Sequence, residues 1–202
     1  QFLEELGVTL HLNTIVKDYD GENMTLSNGE VMKTKNFIWT AGVTGASLEG
    51  FSSDTLVERV NRYKVNAFNQ IEDYEHIFAI GDIAFMSSNT YPKGHPQVAQ
   101  PAIQQGGHLA KNFDRLLAGK TMEPFSYFDK GSMATVGRNR AVVDLHKLSF
   151  GGFLAWFIWM FVHLMALVGF RNKVIVFFNW AYNYINYDKA ARLIVRPYSN
   201  KK

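Results

Sequence analysis

Residues 77–84 read IFAIGDIA, an apolar run that stops at Gly81 and Asp82. A glycine at the end of a buried strand lets backbone approach a ligand closely, and the carboxylate beside it can accept hydrogen bonds from sugar-type hydroxyls. Taken alone, the pair reads equally well as a turn. Further along comes AQPAIQQG, in which Gln100 and Gln104 stand at i and i+4 and so share one face of a helix whose first turn holds Pro101. Backbone N–H groups at that N-terminus, around Ala99 and Gln100, have no partner within the helix and favour negative charge. The pattern therefore offers a carboxylate for hydroxyls, N–H groups for an electron-rich ring edge, and amides for a carbonyl. The plain alternative for the glutamines is a hydrated surface.

The elements around these residues read as an α/β chain. QFLEELGV is a helix end stopped at Gly7, VTLHL and TIVKDY are strands, DGEN is a turn, MTL and EVM form a hairpin around SNGE, and NFIWTAGV is a buried strand. HIFAI reads as a second buried strand. The Gly/Pro-rich loop SSNTYPKGHP leads to a helix expected from near Gln97 to just before Gly119. YFDKGSMATVG and RAVVDLH alternate as an antiparallel hairpin around Gly137 and Asn139.

Composition removes several classes of chemistry. Hydrophobic residues make up 47% of the 202 and charged residues 19%, which is a globular balance. No cysteine occurs, so disulfides, thiolate metal sites and cysteine catalysis are excluded for this chain. The six histidines show no metal-ligand spacing, and neither a Gly-x-Ser-x-Gly elbow nor a phosphate loop is present. GVTGAS, residues 42–47, lacks the G-x-G-x-x-G spacing of a dinucleotide fingerprint.

The C-terminal part differs from the rest. From His146 onward the only acid is Asp188, against eight Lys or Arg, so a weakly acidic body carries a basic, aromatic-rich tail. That balance favours a phospholipid surface over nucleic acid. Residues 153–170 carry no charge and sit at the edge of what spans a bilayer. In the following stretch Asn172, Asn179, Asn183 and Asn186 align on one helical face, a pattern suited to lying in an interface. A packed amphipathic helix is the competing reading.

With these motifs assembled, the chain resembles the C-terminal part of the type II NADH:quinone oxidoreductases, single-subunit flavoproteins of respiratory membranes. NFIWTAGV resembles the family's strand near the flavin, HIFAIGD its second FAD motif, AQPAIQQG its paired-glutamine motif, and residues 152–180 its membrane-anchoring tail. The resemblance implies the closing part of a disulfide-reductase-like flavoprotein with two dinucleotide-binding domains, followed by an amphipathic helical anchor. It divides the chain into residues 1–44, closing the NADH domain; residues 45–148, closing the FAD domain; and residues 149–202, the anchor. It implies Gly81 and Asp82 at the FAD ribityl chain, Ala99 and Gln100 at the flavin pyrimidine edge, and Gln100 and Gln104 at the flavin and quinone. Lys130 matches a basic position near the flavin or is a surface strand lysine. No metal is implied.

The activity so implied is hydride transfer from NADH to FAD, followed by two-electron reduction of a membrane quinone, in a homodimer on the cytoplasmic face of a bacterial inner membrane. Both Gly-rich phosphate fingerprints expected of a complete member are missing, so the chain reads as a fragment that holds FAD poorly and is inactive alone. Two rival readings stand beside it. One is another quinone-reducing flavoprotein such as a sulfide:quinone oxidoreductase, whose cysteine chemistry this sequence lacks; the other is a non-catalytic membrane-targeting or dimerisation module.

Overall fold

The structure is a computed structural model and describes residues 1–46 and 48–186. In chain order the elements are α1 (Phe2–Glu5), β1 (Val16–Tyr19), β2 (Asn23–Leu26), β3 (Val31–Lys33), a 3₁₀ turn (Ser53–Thr55), β4 (Leu56–Val57) and β5 (Arg62–Lys64). A second 3₁₀ turn (Gly81–Ile83) leads to β6 (Ala84–Phe85), followed by α2 (Ala99–Leu117), β7 (Ser132–Thr135), β8 (Ala141–Asp144), β9 (Ser149–Gly152), α3 (Phe153–Ala166) and α4 (Phe170–Asn186). The chain divides into two units: His11–Lys130, and Gln1–Leu10 together with the described residues from Gly131 on.

Within His11–Lys130, β1, β2 and β3 form an antiparallel meander, and the hairpin expected around SNGE closes β2 onto β3. The Asp20 carboxylate accepts the N–H groups of Glu22 and Asn23 at 2.8 and 2.6 Å, the signature of a side chain that nucleates its own turn. A second sheet has β5 at its centre, antiparallel to β4 and parallel to β6. Its core consists of Tyr63, Val65, Ile71, Ala79, Ala84 and Met86, with Phe51, Tyr74, Ile83 and Phe125 packed against it. Ala79 and Ala84 are thus both anchored in the core, and the Gly81–Ile83 turn is the excursion between them. Behind it runs α2, which starts and stops where the sequence places it; Gly119, at φ +71°, ends it in the left-handed conformation.

Three expected strands are not strands. Residues 8–12, 36–43 and 77–80 form no ladder: Ile38 and Trp39 are exposed, and residues 77–80 make only an isolated bridge from Phe78 to Gln70. Apolar content earns a buried strand only when neighbours supply hydrogen bonds on its edges. Among the described residues nothing pairs with 36–43, and 77–80 receives one bridge.

In the other unit, β7, β8 and β9 form an antiparallel sheet, with Val136 N–H bonded to Arg140 C=O across the turn at Gly137 and Asn139, as the alternation implies. Short α1 joins this sheet through an Arg140–Glu5 ion pair and through Phe2, which lies 5.2 Å from the Arg140 guanidinium. Helix α3 docks its Ala155, Trp156 and Trp159 side on Ala141, Val143 and Phe150. The apolar stretch 153–170 is not one helix. It breaks at Leu167, whose backbone is extended, and at Gly169, φ +82°, leaving α3 with 14 residues and α4 with 17. At 1.5 Å per residue α3 reaches only about 21 Å, short of a ~30 Å hydrocarbon core. Among the described residues no helix is long and apolar enough to cross a membrane.

Gly131 is the tightest point of this sheet. Its φ is +87°, and a Cβ there would lie 2.2 Å from the Asp144 carbonyl oxygen and 3.0 Å from Leu145 Cα. Gly131→Ala is expected to destabilise the protein by about 2 kcal/mol or more, since both the backbone conformation and the contact oppose it. Equilibrium urea unfolding of the two forms measures this, and an unchanged midpoint contradicts it.

Candidate functional site

Gly81 takes a left-handed φ of +70°, and a Cβ added there would meet Ala102 Cβ at 3.1 Å. Glycine is therefore required twice, for the backbone angle and for the approach of the turn to the first turns of α2. The turn is held by two amides from opposite sides. Gly81 N–H donates to Gln105 Oε1 at 2.7 Å, and Gln97 Nε2 donates to the Asp82 carbonyl at 3.1 Å. The Asp82 carboxylate is left exposed and makes no hydrogen bond among the described residues.

Underneath lies Arg62, 5% exposed, whose guanidinium donates to the Ala84 carbonyl at 2.5 Å and the His95 carbonyl at 3.1 Å. Burial pushes Arg62 down from its ordinary value, and the Asp82 carboxylate opposes that shift, which places a positive charge behind the turn. The His95 imidazole is pushed below its ordinary value by burial and then by the Arg62 charge, so it is neutral at pH 7.

Helix α2 begins at Ala99, with Val98 as its N-cap and no side chain bonding the first turn. Ala99 therefore presents a backbone N–H group with neither a helical nor a capping partner, and Pro101 has none to present. Gln100 and Gln104 face the same way, as their spacing implies, and both reach the segment that returns after the helix. Gln100 Oε1 accepts Lys130 N–H at 3.2 Å. Gln104 grips Phe128 twice, donating to its carbonyl at 2.9 Å and accepting its N–H at 3.0 Å. The same ridge continues through His108, whose ring lies 5.5 Å from that of Phe125, to Asn112. Asn112 grips Glu123 as Gln104 grips Phe128, with both bonds at 2.9 Å.

Of the six expected site residues, the structure gathers five around the start of α2: Gly81 and Asp82 on the turn, Ala99 at the N-terminus, Gln100 and Gln104 along the ridge. Lys130 joins them through its backbone bond to Gln100. Sequence reasoning missed Gln97, Gln105, Asn112 and the whole 123–130 strap. The signal for Asn112 was present in the four-residue repeat 100, 104, 108, 112; Gln105 is masked by its neighbour, since successive helical residues point about 100° apart.

Fit to a flavin can be judged from these features. An unengaged carboxylate, a glycine turn too close to the helix for a side chain, and an uncapped helix N-terminus are the donors and acceptors that a ribityl chain and a pyrimidine edge require.

Comparison with known proteins agrees with this. Residues 1–106 match the family model for pyridine nucleotide-disulphide oxidoreductases, and residues 130–186 match the NDH2 C-terminal domain. The chain belongs to the pyridine nucleotide-disulphide oxidoreductase family. It is 36% identical over 194 residues to the type II NADH:quinone oxidoreductase Ndh of Mycobacterium tuberculosis, a match covering 91% of this chain and 41% of that one. It is 32% identical to the internal alternative NAD(P)H-ubiquinone oxidoreductase A1 of Arabidopsis thaliana mitochondria, covering 91% and 39%. The solved structure of NDH2 from Plasmodium falciparum in complex with NADH superposes with a TM-score of 0.76 at 16% identity, over 96% of this chain and 54% of that one, which supports the two-dinucleotide flavoprotein fold. The chain thus spans about two fifths of the length of the curated relatives it matches.

The double grip of Asn112 carries a direct consequence. Asn112 is 1% exposed, so Asn112→Ala strands two backbone groups of Glu123 and should cost about 2–4 kcal/mol, more than Gln104→Ala at its half-buried position. Limited proteolysis between Gly119 and Gly131 reports the release of the strap. Equal resistance of wild type and Asn112→Ala contradicts this assignment.

Proposed function

We propose that this chain is part of an FAD-dependent NADH:quinone oxidoreductase of a respiratory membrane. The observation that carries the reading is the convergence of the Gly81-Asp82 turn on the uncapped N-terminus of α2, beside the paired glutamines Gln100 and Gln104. Family membership and relatives named as quinone oxidoreductases support it. When bound, FAD supplies the redox chemistry, taking hydride from NADH and passing two electrons to a quinone.

The protein's own groups bind and orient. Asp82 accepts hydrogen bonds from ribityl hydroxyls through a carboxylate that no protein donor competes for. Ala99 and Gln100, at the start of α2, meet the pyrimidine edge; the Ala99 N–H donates to it, and the helix dipole favours negative charge there. Gln104 has two hydrogens on Nε2, of which the Phe128 carbonyl takes one; the other is available to a quinone carbonyl from an amide already fixed in place. Lys130 adds a positive charge at the end of the strap. In this reading residues 1–44 close the NADH domain, residues 45–148 close the FAD domain, and residues 149–202 attach the enzyme to the cytoplasmic face of a bacterial inner membrane.

Support for attachment comes from apolar surface. Phe153, Leu154, Phe157, Phe161 and Met165 on α3 are exposed, as are Ile175, Phe178 and Tyr182 on α4. Covering them by lipid is worth roughly 1.5–3 kcal/mol for each fully buried large side chain, whereas Arg171 and Lys173 contribute about 1 kcal/mol each, and only beside anionic lipid. Of the other tail cations, Lys189, Arg192 and Arg196 lie outside the described residues. A second copy of the chain, in the homodimer, is the other cover for the same faces.

Purification of the complete protein followed by visible spectra tests the redox reading: flavin absorbance that bleaches with NADH and returns with quinone is expected, and a colourless protein overturns it. Asp82→Ala should lose flavin on gel filtration, because each bond to a charged acceptor is worth about 1.5–3 kcal/mol. Membrane attachment has its own test. High salt should leave the protein on membranes, while deletion from Phe150 should release it; release by moderate salt shows that charge rather than apolar burial dominates.

A further inference from the structure

We infer that Gln105 is a positioning residue: it holds the Gly81-Asp82 turn against α2 and so fixes where the Asp82 carboxylate stands relative to the helix N-terminus. This rests on the reading of Asp82 as a flavin ligand. Gln105 is 1% exposed and lies on the buried side of α2 with Pro101 and Leu109. A buried amide is costly unless its polar atoms are bonded, so its presence calls for a specific partner. That partner is the N–H of Gly81, at 2.7 Å.

The bond matters because the turn has little else to hold it. Residues 77–80 join no ladder, and Gly81 sits at φ +70° with Ala102 Cβ 3.1 Å from where a Cβ would stand, inside ordinary van der Waals contact. Ala79 and Ala84 anchor the chain on either side, but neither sets the rotation of the peptides between them. Gln105 fixes the N–H entering Gly81, and Gln97 fixes the carbonyl leaving Asp82 at 3.1 Å. Two peptides held in this way fix the Cα–Cβ direction from which the Asp82 carboxylate extends. Gln105 never touches the ligand; it acts through Asp82, and its adjacency to Gln104 means one turn of α2 registers both the Gly-Asp turn and the 123–130 strap.

The test is a double-mutant cycle on FAD dissociation from the complete protein, with backbone amide exchange as a second readout. Gln105→Met keeps side-chain length and removes the acceptor. It should weaken FAD about tenfold, equivalent to ~1.4 kcal/mol, in an otherwise unchanged protein, and less than about twofold in an Asp82→Ala background. Gly81 amide exchange in the flavin-free form should accelerate in Gln105→Met, and Gln105→Glu, whose carboxyl keeps an acceptor at the same reach, should restore both readouts. Should Gln105→Met not fold, Gln97→Ala, at a half-buried site, runs the same cycle with a smaller expected loss. Losses that add fully to that of Asp82→Ala, or unchanged Gly81 exchange, overturn the inference while leaving Asp82 a flavin ligand. Full FAD retention by Asp82→Ala alone overturns the functional reading, and this inference falls with it.

Discussion

The backbone polar groups of residues 80–82 and 123–130 belong to no sheet, and a peptide that packs against a helix without water or a ladder must find its hydrogen bonds in side chains. Helix α2 supplies most of them, beside Gln97 at the Asp82 carbonyl and a backbone bond from Phe125 N–H to the Ala67 carbonyl. Gln105 serves Gly81, Gln104 serves Phe128, Gln100 serves Lys130 and Asn112 serves Glu123. Gln104 and Asn112 both donate and accept, so each replaces a strand neighbour for one residue, while Gln105 and Gln100 accept a single N–H. The arrangement follows from that constraint, because the same helix whose first turn has no side-chain cap also fixes the turn and the strap that flank it.

Charge is arranged on the same plan. Arg62 is buried beneath the turn, bonded to the Ala84 and His95 carbonyls, and interacts with Asp82. It holds the loop that precedes α2 to the strand that follows the Gly-Asp turn, so one cation ties together these two segments. His95 completes this region in its neutral form, in edge-on and tilted contact with Tyr91, Phe125 and Tyr127 at ring separations of 5.1–5.6 Å. A protonated imidazole there would face Arg62 in a desolvated setting, which is why its proton affinity falls.

Much of this was legible in the sequence where the signal is local. Pro101 and Gly119 bracket α2, SNGE closes the first hairpin, and the spacing of Gln100 and Gln104 puts them on one face, because capping, turn and periodicity rules act over a few residues. What was not legible depends on partners. Residues 36–43 and 77–80 have strand composition, yet a strand exists only when another edge reaches it, and the chain spans about two fifths of its relatives' length. Gln105 carried no distinguishing mark: burial of a glutamine is decided by the rotation of the helix against Gly81, and QQ in a sequence does not say which of the two faces inward.

The tail shows the same dependence in apolar form. Hydropathy alone treats residues 153–170 as one greasy stretch, but Ala155 is fully buried, and its small side chain lets α3 lie close on Ala141 and Val143 while Trp156 and Trp159 fill the space at the sides. Docking consumes that one face and fixes the helix's rotation, so that Phe157, Phe161 and Met165 are turned outward by packing rather than by chance. A helix held to a sheet along one side, and ended at Leu167 and Gly169, cannot also be threaded through a bilayer as a free span. Its remaining aromatic surface, with Phe157, Phe161 and Met165 exposed, can be covered only on the side turned away from the sheet.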